Sequence, residues 1–220
     1  MDADTTRHKG SHDRLFKQFR SGKGDVLIGT QMIGKGLHFP SVTLVGVINS
    51  DSALNIPDFR ASETTFQLLT QVAGRSGRGC LKGEVIIQTM SPSHPLFDFA
   101  KKEDYTGFYE KETEVRELFD YPPYSRFIKL VFSGPNEHKT GEYATFFREK
   151  LIEKLPSECV IYPAIPSGYA KVKDRFRFKV LLKGKKLFHV TPILLKTRES
   201  LPPPYQTRLL IDVDPISMFD

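Results

Sequence analysis

Leu44-Val45-Gly46-Val47-Ile48 is a short, unbroken apolar run, and its neighbours decide the fold class. Val26-Leu27-Ile28 before it and Val85-Ile86-Ile87 after it have the same character. Short, continuous, β-branched runs suit parallel strands covered on both faces, because neither face is left to water. Between the last two runs, residues 62–72 read as a helix, with Ser62 as N-cap and Gly74 just past the end. Strand, helix and strand in that order predict a βαβ unit, hence an α/β fold with a parallel sheet. Upstream, Leu15, Phe16 and Phe19 place a further helix at 11–20, broken by Ser21-Gly22-Lys23-Gly24.

The second half has a different rhythm. Residues 104–119 predict a charged helix, which Tyr121-Pro122-Pro123-Tyr124 must end, because proline cannot continue a helix and restricts the residue before it. Residues 126–132 predict a strand. Residues 137–155 predict an amphipathic helix with Tyr143, Phe147, Leu151 and Leu155 on one face. Two strands at 159–172 and 175–182 follow, joined by a tight turn. A second helix at 187–199 is expected to kink or restart at Pro192. Leu201-Pro202-Pro203-Pro204 is a stiff loop before a last strand at 207–213. The order β-α-β-β-α-β predicts a smaller α+β domain of ferredoxin-like pattern.

The composition suits this picture. With 220 residues there is room for one large domain or two small ones. Hydrophobic residues at 39% and charged residues at 26% argue against disorder. No apolar run approaches the roughly 20 residues that span a bilayer, and the first residues lack the basic-then-apolar pattern of a signal peptide. A cytoplasmic protein with no membrane partner is expected. Cys80 and Cys159 are too few for a disulfide framework or a cysteine-rich zinc site, and no metal site is predicted. The net charge is +6 and the pI about 9.2. Lys171, Lys173, Arg175, Arg177, Lys179, Lys183, Lys185 and Lys186 lie in one segment with a single acid, Asp174, so that segment carries +7 and the remainder about −1. Basicity this local points to an anionic partner.

Three stretches could carry chemistry. Gly29-Thr30-Gln31-Met32-Ile33-Gly34-Lys35-Gly36 fits a phosphate-binding loop except at its last residue, where a hydroxyl should hold Mg²⁺ and glycine has none. An independent nucleotide-binding loop is therefore rejected. Gln71-Val72-Ala73-Gly74-Arg75-Ser76-Gly77-Arg78 places two arginines three apart at a helix end, each after a glycine. Glycine lets the backbone approach a ligand closely, and arginine offers a planar fork that matches phosphate oxygens. Along Arg175-Phe176-Arg177-Phe178-Lys179-Val180, cations and apolar residues alternate, so the three cations share one strand face and the apolar residues the other. The cationic face, with Lys171 and Lys173, is the expected contact for an anionic partner such as nucleic acid.

Taken together, the motifs are specific. Gln-x-x-Gly-Arg-x-Gly-Arg is similar to motif VI of superfamily 2 helicases, and residues 26–40 resemble their motif V in the version found in the primosomal protein N′ family. Asp4-Thr5-Thr6, Pro57-Asp58-Phe59-Arg60-Ala61-Ser62-Glu63, the Pro122-Pro123 linker and Asp212-Val213-Asp214-Pro215 resemble the same family. The resemblance implies the later part of a second RecA-like lobe at 1–102, a helical linker at 103–123 and a DNA- or fork-binding domain at 124–220. Arg75 and Arg78 would reach the γ-phosphate of ATP, at least one as an arginine finger. Gln71 would sense that phosphate or its attacking water. Gly36 would allow close approach near the nucleotide, and Thr30 would contact the tracked strand. Many superfamily 2 members have an acid where His38 stands, so a structural histidine is expected there. The resemblance also implies ATP and Mg²⁺, used only with a first lobe, and a zinc site whose cysteines precede this region. The implied partners are forked or branched DNA, primosome proteins and single-stranded DNA-binding protein. With no complete phosphate-binding loop and no Asp-Glu-x-His, the chain is expected to be a fragment that cannot hydrolyse ATP alone. The competing reading is a non-catalytic, stand-alone DNA-binding or adaptor module.

Overall fold

The computed structural model describes residues 11–30, 42–73, 83–204 and 206–219. They form two compact units: one takes the chain up to residue 55 and from 61 to 109, the other takes 56–60 and the chain from 110 onward.

In the first unit, α1 (Ser11–Arg20) stops where the glycine break predicts. Gly22 has φ 73°, and the N–H groups of Gly22 and Lys23 donate to the carbonyls of Phe19 and Gln18. These are the paired bonds of a Schellman cap, whose left-handed position glycine occupies without a Cβ penalty. β1 (Leu44–Val47) and β2 (Glu84–Ile87) pair in parallel, with Val45 opposite Val85 and Val47 opposite Ile87. Between them lie α2 (Asp51–Leu54) and α3 (Ala61–Ala73). α4 (Pro95–Lys102) follows, and α5 (Tyr105–Leu118) runs on into the second unit. Phe66 and Leu69 of α3, Leu96, Phe97 and Ala100 of α4 and Phe108 of α5 make the core, against which Val47 and Ile87 pack. The rings of Phe66 and Phe108 lie parallel at 4.1 Å.

Three expectations for this unit change. Residues 26–28 form no strand among the described residues, and Val26 is 77% exposed: an apolar run becomes a strand only beside a partner's backbone groups. β1 and β2 alternate exposed and half-buried positions rather than being covered on both faces. α3 starts at Ala61, so Ser62 sits inside the first turn, and the turn before it is set by the Asp58 carboxylate accepting the Arg60 N–H at 3.0 Å.

The second unit contains β3 (Arg126–Gly134), α6 (Glu137–Ile152), β4 (Val160–Ile161), β5 (Ile165–Val172), β6 (Arg175–Gly184), α7 (Val190–Ser200) and β7 (Arg208–Val213). They build an antiparallel sheet in the order β4-β6-β3-β7, with β5 also pairing with β6. The expected strand at 159–172 is split into β4 and β5 around Pro163, which has no N–H to give a ladder. α7 begins at Val190, so Pro192 neither kinks nor restarts it: in a first turn the missing N–H has no partner to lose.

One face of the sheet presents Ile128, Leu130 and Phe132 of β3, Val180 and Leu182 of β6 and Leu209 of β7. Tyr143, Phe147 and Leu151 of α6 and Val190 and Leu194 of α7 cover it. α6 is capped by the Asn136 side chain, which accepts the Lys139 N–H at 3.0 Å. A Cβ at Gly141 would lie 2.9 Å from the Phe178 ring, so this glycine lets the helix come down onto β6. Tyr143 donates its hydroxyl to the Leu201 carbonyl at 2.7 Å, and burial pushes the phenol up to about 12. Burial also raises the thiol of half-buried Cys159. The opposite face is not open either. Phe127, Lys129 and Val131 of β3 are buried, which explains why β3 reads as an almost continuous apolar run.

Candidate functional site

Two motif residues of the first unit lie among the described residues. Gln71 is half-buried in the last turn of α3, and Thr30 is exposed in the loop after α1. Gly36, His38, Gly74, Arg75, Arg78, Cys80 and Asp4-Thr5-Thr6 lie outside the described residues. Asp51, the first residue of α2, is not an open carboxylate. It accepts the Thr89 hydroxyl at 2.8 Å and the Met90 N–H at 2.9 Å. The Met90 N–H first, then the Thr89 hydroxyl, hold it below the usual carboxylate range. These bonds tie the chain after β1 to the chain after β2. Among the described residues no cluster of three or more His, Cys, Asp or Glu side chains could hold a metal ion, and no helix is long and apolar enough to cross a membrane.

The basic segment folds as the β5–β6 hairpin. Val172 pairs with Arg175 across Lys173 and Asp174, whose φ values of 48° and 58° make a two-residue turn of type I′ character. Arg175, Arg177 and Lys179 do share a face, opposite Phe178 and Val180. Two of these three cations, expected to contact DNA, are committed to partners within the unit. Lys179 is 6% exposed and donates to the carbonyls of Met218 and Phe219. Arg175 donates to Ser133 Oγ at 3.0 Å, to the Ser133 carbonyl at 2.7 Å and to the Gln206 carbonyl at 2.6 Å. Arg177 is half-buried. Lys183 donates to the Phe119 carbonyl at 2.8 Å and lies over the Tyr121 ring. A buried ammonium needs acceptors, and backbone carbonyls supply them. Truncating Arg175 or Lys179 therefore removes structural bonds as well as charge.

The exposed cations fall at the two ends of β6. Lys171 and Lys173 are at the hairpin tip, and Lys185 and Lys186 follow the last strand residue. Lys171 lies 5.2 Å above the Phe176 ring and 3.3 Å from Asp174, whose side chain is 96% exposed. Lys185 lies 3.9 Å from Asp120.

Sequence reasoning assigned nothing to Asp58, Lys129 or Ser217. Asp58 accepts the Ser217 hydroxyl at 2.8 Å and the Met218 N–H at 2.7 Å, and Lys129 donates to the Ser217 carbonyl at 2.7 Å. The only signal was the Asp58-Phe59-Arg60 stretch, quoted for its resemblance and given no role.

Two family models match the chain. The helicase conserved C-terminal domain covers residues 2–80, and the primosomal protein N C-terminal domain covers residues 117–216. Replication restart protein PriA of Chlamydia pneumoniae is 46% identical over all of this chain. The chain belongs to the primosomal protein N′ family. The PriA proteins of Bacillus subtilis and Synechocystis are 44% and 40% identical over 90% and 99% of the chain. The chain spans 25–29% of the length of these PriA relatives and matches a C-terminal part of them.

Proposed function

We propose that this chain is the C-terminal portion of an ATP-dependent DNA helicase that restarts replication by assembling the primosome at stalled forks. One observation supports this above all: a PriA relative aligns with the entire chain, across both matched domains. On this reading 1–102 is the later part of a second RecA-like lobe, 103–123 a linker and 124–220 a fork-binding domain. The β4/β5-β6-β3-β7 strand order, with α6 and α7 on one face, supports a ferredoxin-like assignment for that domain. Forked DNA, primosome proteins and single-stranded DNA-binding protein are the proposed partners, and the cytoplasm the proposed location.

The division of labour follows from side-chain chemistry. Bound Mg-ATP supplies the phosphoanhydride whose cleavage drives movement, and a first lobe supplies most of its contacts. From this chain, Arg75 and Arg78 offer forked donors to charge developing on the γ-phosphate. Gln71 orients that end of the nucleotide from the last turn of α3. Gly36 permits close approach, and Thr30 holds a phosphate of the tracked strand. In the second unit, Lys171 and Lys173 contact DNA phosphates at the hairpin tip. Arg177 extends that strip, while Arg175 and Lys179 brace the strand that presents it. Phosphate contacts carry no sequence information, so affinity should follow DNA form and salt.

The test is steady-state ATP turnover by a full-length protein containing this region. Arg78→Ala should lower kcat by about 10³-fold or more with DNA affinity nearly unchanged, as expected for an arginine finger. Arg78→Lys should not rescue it, because one ammonium cannot reproduce a planar fork. Near-normal turnover by Arg78→Ala would refute the assignment.

A further inference from the structure

The second unit includes five residues from far upstream, 56–60. The chain leaves the first unit at Asn55, is held in the second through Arg60, and returns at Ala61, the first residue of α3. That segment is fastened by two side chains. Both Asp58 oxygens are used: one accepts the Arg60 N–H, the other the Ser217 hydroxyl and the Met218 N–H. The Phe59 ring lies 6.1 Å from the rings of both Phe127 and Tyr121, and the Arg116 guanidinium sits 5.3 Å over it. Arg116 is itself paired with Glu112 at 2.9 Å.

The far side of residues 217–219 is held by the sheet. Lys129 of β3 binds the Ser217 carbonyl, Lys179 of β6 binds the carbonyls of Met218 and Phe219, and the Gly168 N–H of β5 donates to the Phe219 carbonyl at 2.8 Å. Thus β5 and β6, the two strands of the basic hairpin, grip the same short segment that Asp58 grips. Hydrogen bonds at fixed geometry on both sides of a three-residue segment transmit displacement, since neither side can shift without breaking a bond to a charged group.

We propose that Asp58 and Phe59 are positioning residues: they couple DNA held on the β5–β6 hairpin to α3 and so to the nucleotide-sensing residues at its end. The proposal rests on the functional reading above. It adds the route by which the two activities are linked.

Hydrogen exchange on the 220-residue chain, with and without forked DNA, tests it. DNA should alter amide exchange in α3 of the wild type. In Asp58→Asn, which must set its amide N–H against the N–H of either Met218 or Arg60 and so opens the clamp on one side, that response should vanish while DNA affinity stays within about twofold. Phe59→Leu, which keeps bulk and removes the ring stacking, is the second variant should Asp58→Asn fold poorly. An equal α3 response in wild type and variants, or none in a DNA-bound wild type, overturns the coupling. A wild type that binds no forked DNA instead overturns the DNA-binding reading, and the coupling falls with it; the binding curve separates the two. In a full-length protein, Asp58→Asn should cut DNA stimulation of ATP turnover by about 5- to 10-fold at an unchanged DNA-independent rate, the size of a modest coupling between sites. Loss of both rates together, or of neither, overturns the proposal.

Discussion

Replacing Lys171 and Lys173 with alanine tests whether the hairpin tip is the DNA contact. The structure makes these two the cations to remove. Both are exposed, and the ion pair of Lys171 with Asp174 is a surface pair of little strength, readily exchanged for a phosphate. Arg175 and Lys179, by contrast, are committed to backbone carbonyls. Each phosphate neutralised contributes about 0.9 to the slope of log K against log salt on duplex DNA and about 0.7 on single strands. Losing two contacts should therefore flatten the slope by roughly 1.4–1.8 units. Between about 50 and 200 mM salt, a fourfold change, wild type should lose about 7- to 12-fold more affinity than the double variant. The assay is fluorescence anisotropy on forked DNA across a salt series, with circular dichroism to check the fold. Stability should move by no more than about 0.5 kcal/mol, because neither side chain is buried. A folded double variant with the wild-type slope would refute the reasoning and place the DNA contacts elsewhere.

The structural cations should behave oppositely. Lys179→Met should lower unfolding stability by about 1–3 kcal/mol, through loss of bonds to the Met218 and Phe219 carbonyls partly offset by a buried apolar chain, while leaving the salt slope unchanged in folded protein. Urea titration and the same anisotropy series measure the two effects, and a flattened slope without destabilisation would contradict them. Asp51 predicts an acid dependence. Its folded pKa is depressed by the Met90 N–H and the Thr89 hydroxyl, so its contribution is complete above the unfolded value of about 3.9 and is lost as pH falls through the folded one. Asp51→Asn should be less stable at neutral pH and lose less stability on acidification; parallel curves of melting temperature against pH for the two proteins would exclude this.

Local patterns in the sequence determined a good deal of this protein. The stop after α1, the Tyr143-Phe147-Leu151 stripe of α6 and the two-faced alternation of β6 are all present as read. Each reflects a rule that acts within a few residues: a left-handed cap, a helical repeat or a strand repeat. The motif resemblance reached further and identified the family. Periodicity names the face on which a side chain lies; it does not say what that face meets. For Lys179 the answer was a carbonyl 39 residues away, for Arg175 a serine 42 away, and for Asp58 a serine 159 away. A lysine facing water, a phosphate or a distant backbone carbonyl has the same sequence signature, because ammonium hydrogen-bonds to all three. Only the folded chain brings in the third partner. That decided which cations are structural, and why a five-residue stretch just before α3 belongs to the other unit.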